Sequence, residues 1–339
     1  MATLNAGQLT LADYSKRLSP DGKIDPIAEL LSQQNDVLED IVCVEANQTT
    51  SHVVTIRTGL PAVYWRQYNA GVPGSKSTTA QVTEPCAMLE ARSHIDAKLL
   101  QLNGNSAAFR LSEETPFIEA MGQEMTGKIF NGNVGTDLKT FSGLATRYSS
   151  TTAGNGGNVI LAGGASSDNA SVYLVVWGEQ TVFCPFPKGS KAGLSTRDLG
   201  EESVQDANGN YYQAARSLFQ WDGGLVVKDW RYVVRIANVD ISDWIGVTGT
   251  QAPTAATNLI KLMMRAIARV PNFRMGRAAF YTNRSIQEGL MIQALEKSSS
   301  ALGIKDALTQ FGQNIKQLEF MGIPVRGVDQ LGIAETLVS

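Results

Sequence analysis

SHVVTIRTGLPAVYWRQYNAGVPGSKSTTAQVTE, which spans residues 51–84, predicts a long β-hairpin. Its first arm, residues 51–66, is rich in the β-branched and aromatic residues that favour strands, and the Gly, Pro and Ser of residues 70–77 favour a reversal of direction. A two-stranded hairpin is barely stable alone in water. Because this one carries Tyr64, Trp65 and Tyr68 with little of its own to bury them, the sequence predicts that the hairpin contacts a neighbouring subunit.

The composition is that of a large folded chain with a weakly charged surface. Its 339 residues can bury about three quarters of the surface of the unfolded chain. Charged residues make up 18% and the net charge is −3, whereas about 25% charged residues is usual in soluble domains. Subunit contacts would account for such a surface. No apolar run approaches the roughly 20 residues that cross a bilayer, and the N-terminus lacks a signal-peptide pattern. We therefore expect no membrane contact and a protein that stays in the cytoplasm after synthesis.

Catalytic and metal-binding patterns are scarce. Of the two histidines, His52 lies on a predicted strand and His94 lacks a nucleophile context, so we expect a structural role for both. There is no His-Glu-x-x-His motif, no Gly-x-Ser-x-Gly motif and no closely spaced cysteine pair. Residues 71–77 resemble a phosphate-binding loop, but they lack the glycine before the lysine and lie between predicted strands. We predict no catalytic residue, no cofactor and no metal, and an enzyme is the least favoured class.

The cysteines point to no chemistry of their own. Cys43, Cys86 and Cys184 are odd in number, widely spaced and set among apolar residues. This pattern predicts buried free thiols rather than a disulfide framework.

Helical patterns dominate the first half of the chain outside the hairpin. The acidic first 48 residues contain a predicted helix at residues 26–42, with Asp25 as its cap. Residues 86–95 alternate like a strand, and residues 112–130 predict a helix that Ser112 caps and that ends near residues 131–133. The predicted buried stripe of this second helix consists of Phe117, Ile118, Met121, Met125, Ile129 and Phe130.

The second half mixes strands, loops and helices. A loop-rich surface excursion is predicted at residues 185–210. In chain order, the apolar patterns predict strands at residues 171–179, 225–240 and 280–283, helices at residues 254–270 and 285–297, and a closing strand pair at residues 318–326.

One charge pattern stands out in this half. No acidic residue lies between Lys261 and Arg284, and the basic residues of this stretch are Lys261, Arg265, Arg269, Arg274, Arg277 and Arg284. Because apolar residues are interleaved with them, three interpretations stay open: a helix with one solvated basic face, a nucleic-acid contact, or an intersubunit contact with the acidic N-terminal residues.

Short strings in a particular order carry a family resemblance. In the first half they are Thr58-Gly59-Leu60-Pro61, Val63-Tyr64-Trp65-Arg66, Asn103-Gly104-Asn105, Phe109-Arg110-Leu111-Ser112-Glu113 and Phe117-Ile118-Glu119-Ala120-Met121. In the second half they are Leu174-Val175-Val176-Trp177-Gly178, FPKGSKAGL at residues 186–194, DWRYVVRIAN at residues 229–238 and Gly322-Ile323-Pro324-Val325. With these strings spread over nearly its whole length, the chain resembles the major capsid proteins of tailed bacteriophages, in particular those of short-tailed phages, which have a Hong Kong 97-type fold.

The resemblance implies an α+β capsid fold divided into an arm, a loop and two domains. Residues 86–95 and 320–325 would share the sheet of the peripheral domain. The implied parts are an N-terminal arm at residues 1–48, an extended β-hairpin loop at residues 49–84, a peripheral domain with a spine helix at residues 85–142, an axial domain at residues 143–317, and a C-terminal return to the peripheral domain at residues 318–339.

The implied function is that of a major capsid protein, which self-assembles into hexamers and pentamers of an icosahedral shell around packaged double-stranded DNA. The implied partners are a portal protein, a decoration or cement protein, and a scaffolding protein, which we expect to be separate because the capsid-like sequence starts almost at Met1. The implied location is the virion capsid, with assembly in the cytoplasm of the bacterial host. An encapsulin-like nanocompartment shell protein of the same fold is the alternative.

The resemblance also implies roles for particular residues. Lys261, Arg265 and Arg269 would form a basic face toward the lumen or toward another subunit. Some relatives join their subunits covalently through a lysine of the extended loop, and Lys76 lies near the tip, but a lysine in such a place is far more often solvated or ion-paired. We therefore favour a solvated or ion-paired Lys76, with the covalent bond as the alternative. The intersubunit contact would be made by Tyr64, Trp65, Arg66, Tyr68 and Lys76.

Overall fold

The computed structural model describes residues 31–102, 106–165, 167–206, 208–242, 254–295, 302–308 and 314–339. The helices are α1 (Val37–Asp40), α2 (Ala97–Leu100), α3 (Ser106–Asn131), α4 (Leu144–Arg147), α5 (Thr254–Arg269) and α6 (Arg284–Leu295). The strands are β1 (Cys43–Glu45), β2 (Ser51–Gly59), β3 (Thr78–Pro85), β4 (Ala87–Asp96), β5 (Val159–Leu161), β6 (Asn169–Trp177), β7 (Val182–Phe186), β8 (Leu194–Gln205), β9 (Tyr211–Gly223), β10 (Val226–Val227), β11 (Val233–Asp240), β12 (Arg277–Thr282), β13 (Leu302–Leu308), β14 (Asn314–Phe320) and β15 (Ile323–Gly327).

The large sheet is built around β6. This strand pairs antiparallel with β11 and β12, β12 pairs parallel with β15, and β14 and β13 follow β15 as antiparallel neighbours. Every residue of β6 is buried. Leu174 and its even-numbered neighbours pack with α5 and α6, whereas Trp177 and the odd-numbered residues pack with α3. Burial of both faces explains why residues 172–177 form an unbroken run of aliphatic and aromatic side chains.

The small sheet consists of β4, β9 and β8 in that order, and α3 packs against it. Phe117 of α3 stacks on Phe219 of β9, with their ring centroids 5.7 Å apart. Arg110 of α3 donates to Asp198 of β8 at 2.9 Å and to Ser217 of β9 at 2.7 Å. The hydrogen bond from Arg110 lowers the pKa of the Asp198 carboxyl. An aromatic contact and a charged contact thus hold the long helix on this sheet.

β2 and β3 form a two-stranded sheet of their own, which confirms the predicted hairpin. Strand pairing stops at Gly59 and Thr78, so the first strand is shorter than the predicted arm of residues 51–66. Near the base of the hairpin, Val54 packs in a small apolar cluster with Phe183 of β7 and Val226 of β10. This cluster attaches the hairpin to the large sheet.

The helices of the first half differ from their predicted bounds. α3 begins at Ser106, and the Ser112 hydroxyl donates to the Phe109 carbonyl at 2.8 Å inside the helix, so Ser112 is not its cap. The helix ends at Asn131, as predicted. Ile118, which was predicted to be buried, is exposed because it faces an open groove.

The predicted helix at residues 26–42 is largely wrong where the structure describes it. Its residues 26–30 lie outside the described residues, and of the remainder only Val37–Asp40 is helical. The backbone of residues 34–35 instead pairs with the C-terminal segment: the Asp329 amide donates to the Gln34 carbonyl at 3.1 Å, and Asn35 forms a bridge with Val328. A pairing partner nearly 300 positions away leaves no trace in the local pattern.

Several predictions for the second half are confirmed. Helices α5 and α6 lie within a few residues of the predicted helices, and the part of the latter prediction beyond residue 295 falls outside the described residues. β14 and β15 form the closing strand pair, with Met321 (φ 51°) and Gly322 (φ 84°) in the tight turn between them. Both central residues of a two-residue hairpin turn of this kind adopt the left-handed region, which glycine favours.

Two predictions for the second half are wrong. Residues 194–205, predicted as loop, form β8, because β9 pairs with this polar segment along its whole length. Residues 86–95 and 320–325 do not share a sheet, since β4 pairs with β9 whereas β15 pairs with β12.

The predicted strand at residues 225–240 is confirmed in part, with a short 3-10 turn between β10 and β11. The division into peripheral and axial domains stays a prediction.

Candidate assembly surface

The hairpin loop, defined as residues 60–77, exposes large apolar side chains. Val63 is 90% exposed, Tyr68 98% and Trp65 105%, and Leu60 and Tyr64 are exposed as well. These side chains therefore contribute little to the stability of the subunit itself. A cluster of exposed apolar groups of this size marks a contact with another molecule.

The same hairpin is basic. Arg57, Arg66 and Lys76 are exposed, and no acidic residue lies between positions 52 and 83. Ser75 Oγ donates to the Ala62 carbonyl at 2.6 Å and joins the two sides of the hairpin loop. The structure thus places every residue of the predicted intersubunit contact on one exposed loop, namely Tyr64, Trp65, Arg66, Tyr68 and Lys76.

A buried ion pair holds the base of the hairpin. Glu84 of β3 is 7% exposed, and Arg147 Nη1 and Nη2 each donate to one of its carboxylate oxygens at 2.6 Å. Arg147 also donates to the carbonyls of Ser142 and Leu225, at 3.0 and 3.1 Å. α4 thereby fixes the position at which the hairpin leaves the body of the subunit. Sequence reasoning missed this pair, since 63 positions separate the two residues and no local pattern links them.

A second surface, the acidic groove, lies beside α3. It encloses about 470 Å³ and is lined by Gln33, Gln34, Asn35, Asp36, Leu38, Glu39, Ile118, Glu119, Gly122, Leu194 and Trp221. No lysine or arginine is among these lining residues, whose charges are those of Asp36, Glu39 and Glu119, although Arg326 outside the lining lies 3.8 Å from Glu39. Burial raises the pKa of the Asp36 carboxyl. The groove thus combines negative charge with apolar groups. The only feature of the sequence that points to this groove is the acidic bias of the first 48 residues.

The predicted basic face on α5 is smaller than expected. Lys261 and Arg265 are exposed, but Arg269 is half-buried and its Nη1 donates to the Val159 carbonyl at 3.2 Å. Burial, with a smaller contribution from the charge of Arg265, lowers the pKa of Arg269. The structure therefore leaves two of the three predicted cations available to a partner.

The histidines contact other side chains of the fold. His52 meets Phe183 edge-on, with ring centroids 5.2 Å apart, and His94 Nδ1 accepts a hydrogen bond from Arg216 Nε at 3.2 Å. Burial lowers the pKa of both, so both are neutral at physiological pH. Among the described residues, no group of three or more His, Cys, Asp or Glu side chains is arranged to hold a metal ion. In the same part of the chain, no helix is long and apolar enough to span a membrane.

The three cysteines are free thiols with different exposure. Cys184 is buried, Cys86 is half-buried and Cys43 is exposed. The prediction of buried thiols is therefore wrong for Cys43, because β1 is an edge strand of the large sheet.

Comparison with known proteins assigns the chain to a family. The model of the family described as Major capsid protein GP7 matches residues 19–339. The chain belongs to this family. A solved structure of bacteriophage Epsilon15 is similar over 100% of both chains, with 27% identity and a TM-score of 0.72. The search of curated proteins gives no match.

Two more distant structures are also similar. The capsid of a native GTA particle has 12% identity and a TM-score of 0.45, over 63% of this chain and 95% of that one. The SrpI encapsulin of Synechococcus elongatus PCC 7942 has 13% identity and a TM-score of 0.47, over 73% of this chain and 99% of that one.

Membership of the family confirms the predicted function and fold. The chain is a bacteriophage major capsid protein with an α+β fold of the Hong Kong 97 type. It is a structural component of the virion capsid and associates with other copies of itself.

Proposed function

We propose that the chain assembles into hexamers and pentamers, which close into an icosahedral shell around double-stranded DNA without any enzymatic turnover. The proposal rests on the hairpin loop, which carries both basic and large apolar side chains. Almost none of these large side chains is buried within the subunit. The full-length similarity to the Epsilon15 chain supports it. The shell assembles in the host cytoplasm with a separate scaffolding protein and a portal protein, and a decoration protein covers its outer surface.

The proposed intersubunit contact joins the hairpin loop of one copy to the acidic groove of an adjacent copy. The two surfaces are complementary, because the hairpin loop carries the cations Arg66 and Lys76 and no anion, whereas the described lining of the groove carries three anions and no cation. Both also present apolar groups, Trp65 on the hairpin loop and Ile118 in the groove. Complementary charge sets the orientation of such a contact, and apolar burial supplies most of its stability.

DNA is the proposed partner of the cations that remain exposed on α5. Lys261 and Arg265 would neutralise phosphates without reading sequence, as suits a shell that encloses any packaged DNA. Pairing of these residues with an acidic surface of another subunit is the alternative.

Electron microscopy of the purified full-length chain, produced with a scaffolding protein, tests the proposed function. We expect closed icosahedral shells. Small discrete oligomers alone, under the same conditions, would overturn the proposal. Shells that enclose an enzyme rather than DNA when isolated from infected cells would favour the nanocompartment alternative.

Charge exchange tests the proposed contact. Arg66→Glu should raise the protein concentration required for assembly about 1.4- to 5-fold at low salt, because exposed ion pairs contribute about 0.2–1 kcal/mol each. Glu39→Lys should have a similar effect, and the double variant should restore much of the loss. The concentration dependence is read by light scattering, with Lys191→Glu as a control that makes the same change of charge at another exposed site. If the losses of assembly in the two single variants simply add in the double variant, Arg66 and Glu39 do not contact each other.

A further inference from the structure

Two cysteines that are far apart in sequence lie side by side in the large sheet. Cys43 of β1 and Cys184 of β7 are direct partners in the parallel register of these strands. Neighbouring strands lie about 4.8 Å apart, and the Cα separation in disulfides is about 4.4–6.8 Å. Because register partners point to the same face of a sheet, the two thiols lie side by side, and each contacts the other. The hydrogen bond from the Cys184 amide to the Val42 carbonyl, 2.9 Å long, holds the strands together at this point.

The two thiols have different surroundings. Cys43 is exposed, whereas Cys184 is only 7% exposed. The Cys184 sulfur lies against Gly223, since a Cβ added to that glycine would be 3.2 Å from the sulfur. The hydrogen bond with Cys184 lowers the pKa of Cys43 to about 7, and the same contact raises the pKa of Cys184. Burial raises the pKa of Cys86, the remaining thiol. An accessible thiolate beside a protected thiol is the arrangement of an attacking and a resolving cysteine.

We propose that Cys43 and Cys184 form a redox-active pair, which a small disulfide such as oxidised glutathione converts into an intrachain disulfide. The Cys43 thiolate attacks one sulfur of the reagent and breaks its S–S bond, and the first glutathione leaves as a thiolate that takes up a proton from water. Cys184 then loses its proton to solvent and attacks the Cys43 sulfur, which releases the second glutathione. Two protein thiols are oxidised, and one reagent disulfide is reduced to two thiols.

The bond would change how the N-terminal part of the chain is held. β1 is three residues long and lies at the edge of the large sheet, where its pairing with β7, the packing of Val44 beside Phe183 and a hydrogen bond from the Gly189 amide to Glu45 keep it in place. A disulfide to β7 would make this attachment covalent. The pair would thereby connect the redox state of the surroundings to the strand near the end of the N-terminal arm.

Peptide mapping by mass spectrometry tests the pair. The folded full-length chain is treated with oxidised glutathione at pH 7.5, the remaining thiols are alkylated, and the chain is digested without reduction. We expect a linked peptide pair that contains Cys43 and Cys184, while Cys86 remains alkylated. In a separate alkylation of the reduced chain, Cys43 should react at least about tenfold faster than Cys86, because far more of it is thiolate at this pH.

Two variants distinguish the proposed pair from unspecific oxidation. Cys184→Ala should trap glutathione on Cys43 as a lasting mixed disulfide, since the resolving thiol is absent, but more slowly than the wild type reacts, because the hydrogen bond that lowers the pKa of Cys43 is lost as well. Cys86→Ser should form the intrachain bond as the wild type does. Circular dichroism confirms that both variants are folded. In the wild type, a mixed disulfide that persists on Cys43, a bond to Cys86 instead, or no reaction at Cys43 would each overturn the proposal.

Discussion

Trp65→Ala is expected to abolish shell formation while changing the free energy of unfolding of the subunit by less than about 0.5 kcal/mol. The indole is 105% exposed, so its removal takes away no contact within the subunit. At a subunit interface the same side chain would be an anchor, and truncation of such a tryptophan typically costs about 2 kcal/mol or more, roughly a 30-fold loss of affinity. Every copy would make the proposed contact, so the loss would recur around each capsomer. Electron microscopy and sedimentation report assembly, and urea unfolding of the unassembled subunit reports stability.

Conservative variants separate loss of the ring from disturbance of the loop. Trp65→Phe retains an aromatic ring and should assemble at a higher protein concentration, whereas Tyr64→Ala should assemble poorly without loss of subunit stability. The hairpin strands lie outside the altered loop, so their amide exchange should stay the same in all three variants. A Trp65→Ala subunit that melts early but still closes shells would contradict the prediction, because it would place the indole in the fold of the subunit rather than in its contacts.

Elements with a local signature were predictable from the sequence, and elements that depend on a distant partner were not. The hairpin of β2 and β3 and the turn at Met321 and Gly322 carry their turn chemistry in adjacent residues. β6 is an unbroken apolar run because both of its faces are covered. β8 has no such pattern, since its sequence is polar and it becomes a strand by pairing with β9. The segment before α1 likewise departs from its helical pattern because it pairs with the C-terminal segment.

The candidate assembly surface, too, could be predicted from the sequence only in part. Exposure of Trp65 and Tyr68 was predictable, since an aromatic loop at the end of an isolated hairpin has nothing of its own to cover it. The acidic groove was not, because its lining comes from separate parts of the chain that only the fold brings together. The same limit applies to the ion pair of Glu84 and Arg147, which fixes the direction of the hairpin although neither residue stands out in the sequence.

Arg147→Met is expected to destabilise the subunit by about 3–5 kcal/mol, because it leaves the buried Glu84 carboxylate without its partner. The carbonyls of Ser142 and Leu225 lose their donor in the same variant. Methionine retains much of the length and volume of the arginine side chain, so the loss is chiefly electrostatic. Urea unfolding of the unassembled subunit measures the change in free energy.

The double variant Glu84→Gln/Arg147→Met should recover a large part of that loss, because removal of both charges leaves no buried carboxylate to desolvate. The single and the double variant should also differ in the amide exchange of the hairpin. With the single substitution, amide exchange in β2 and β3 should accelerate, since the charged end of β3 is drawn toward water and the hairpin is released at its base. In the double variant the exchange should stay close to that of the wild type. A double variant as unstable as Arg147→Met alone would show that the lost carbonyl contacts, rather than the unpaired carboxylate, account for the effect. The hairpin would then owe its direction to the apolar contact of Val54 with Phe183 and Val226.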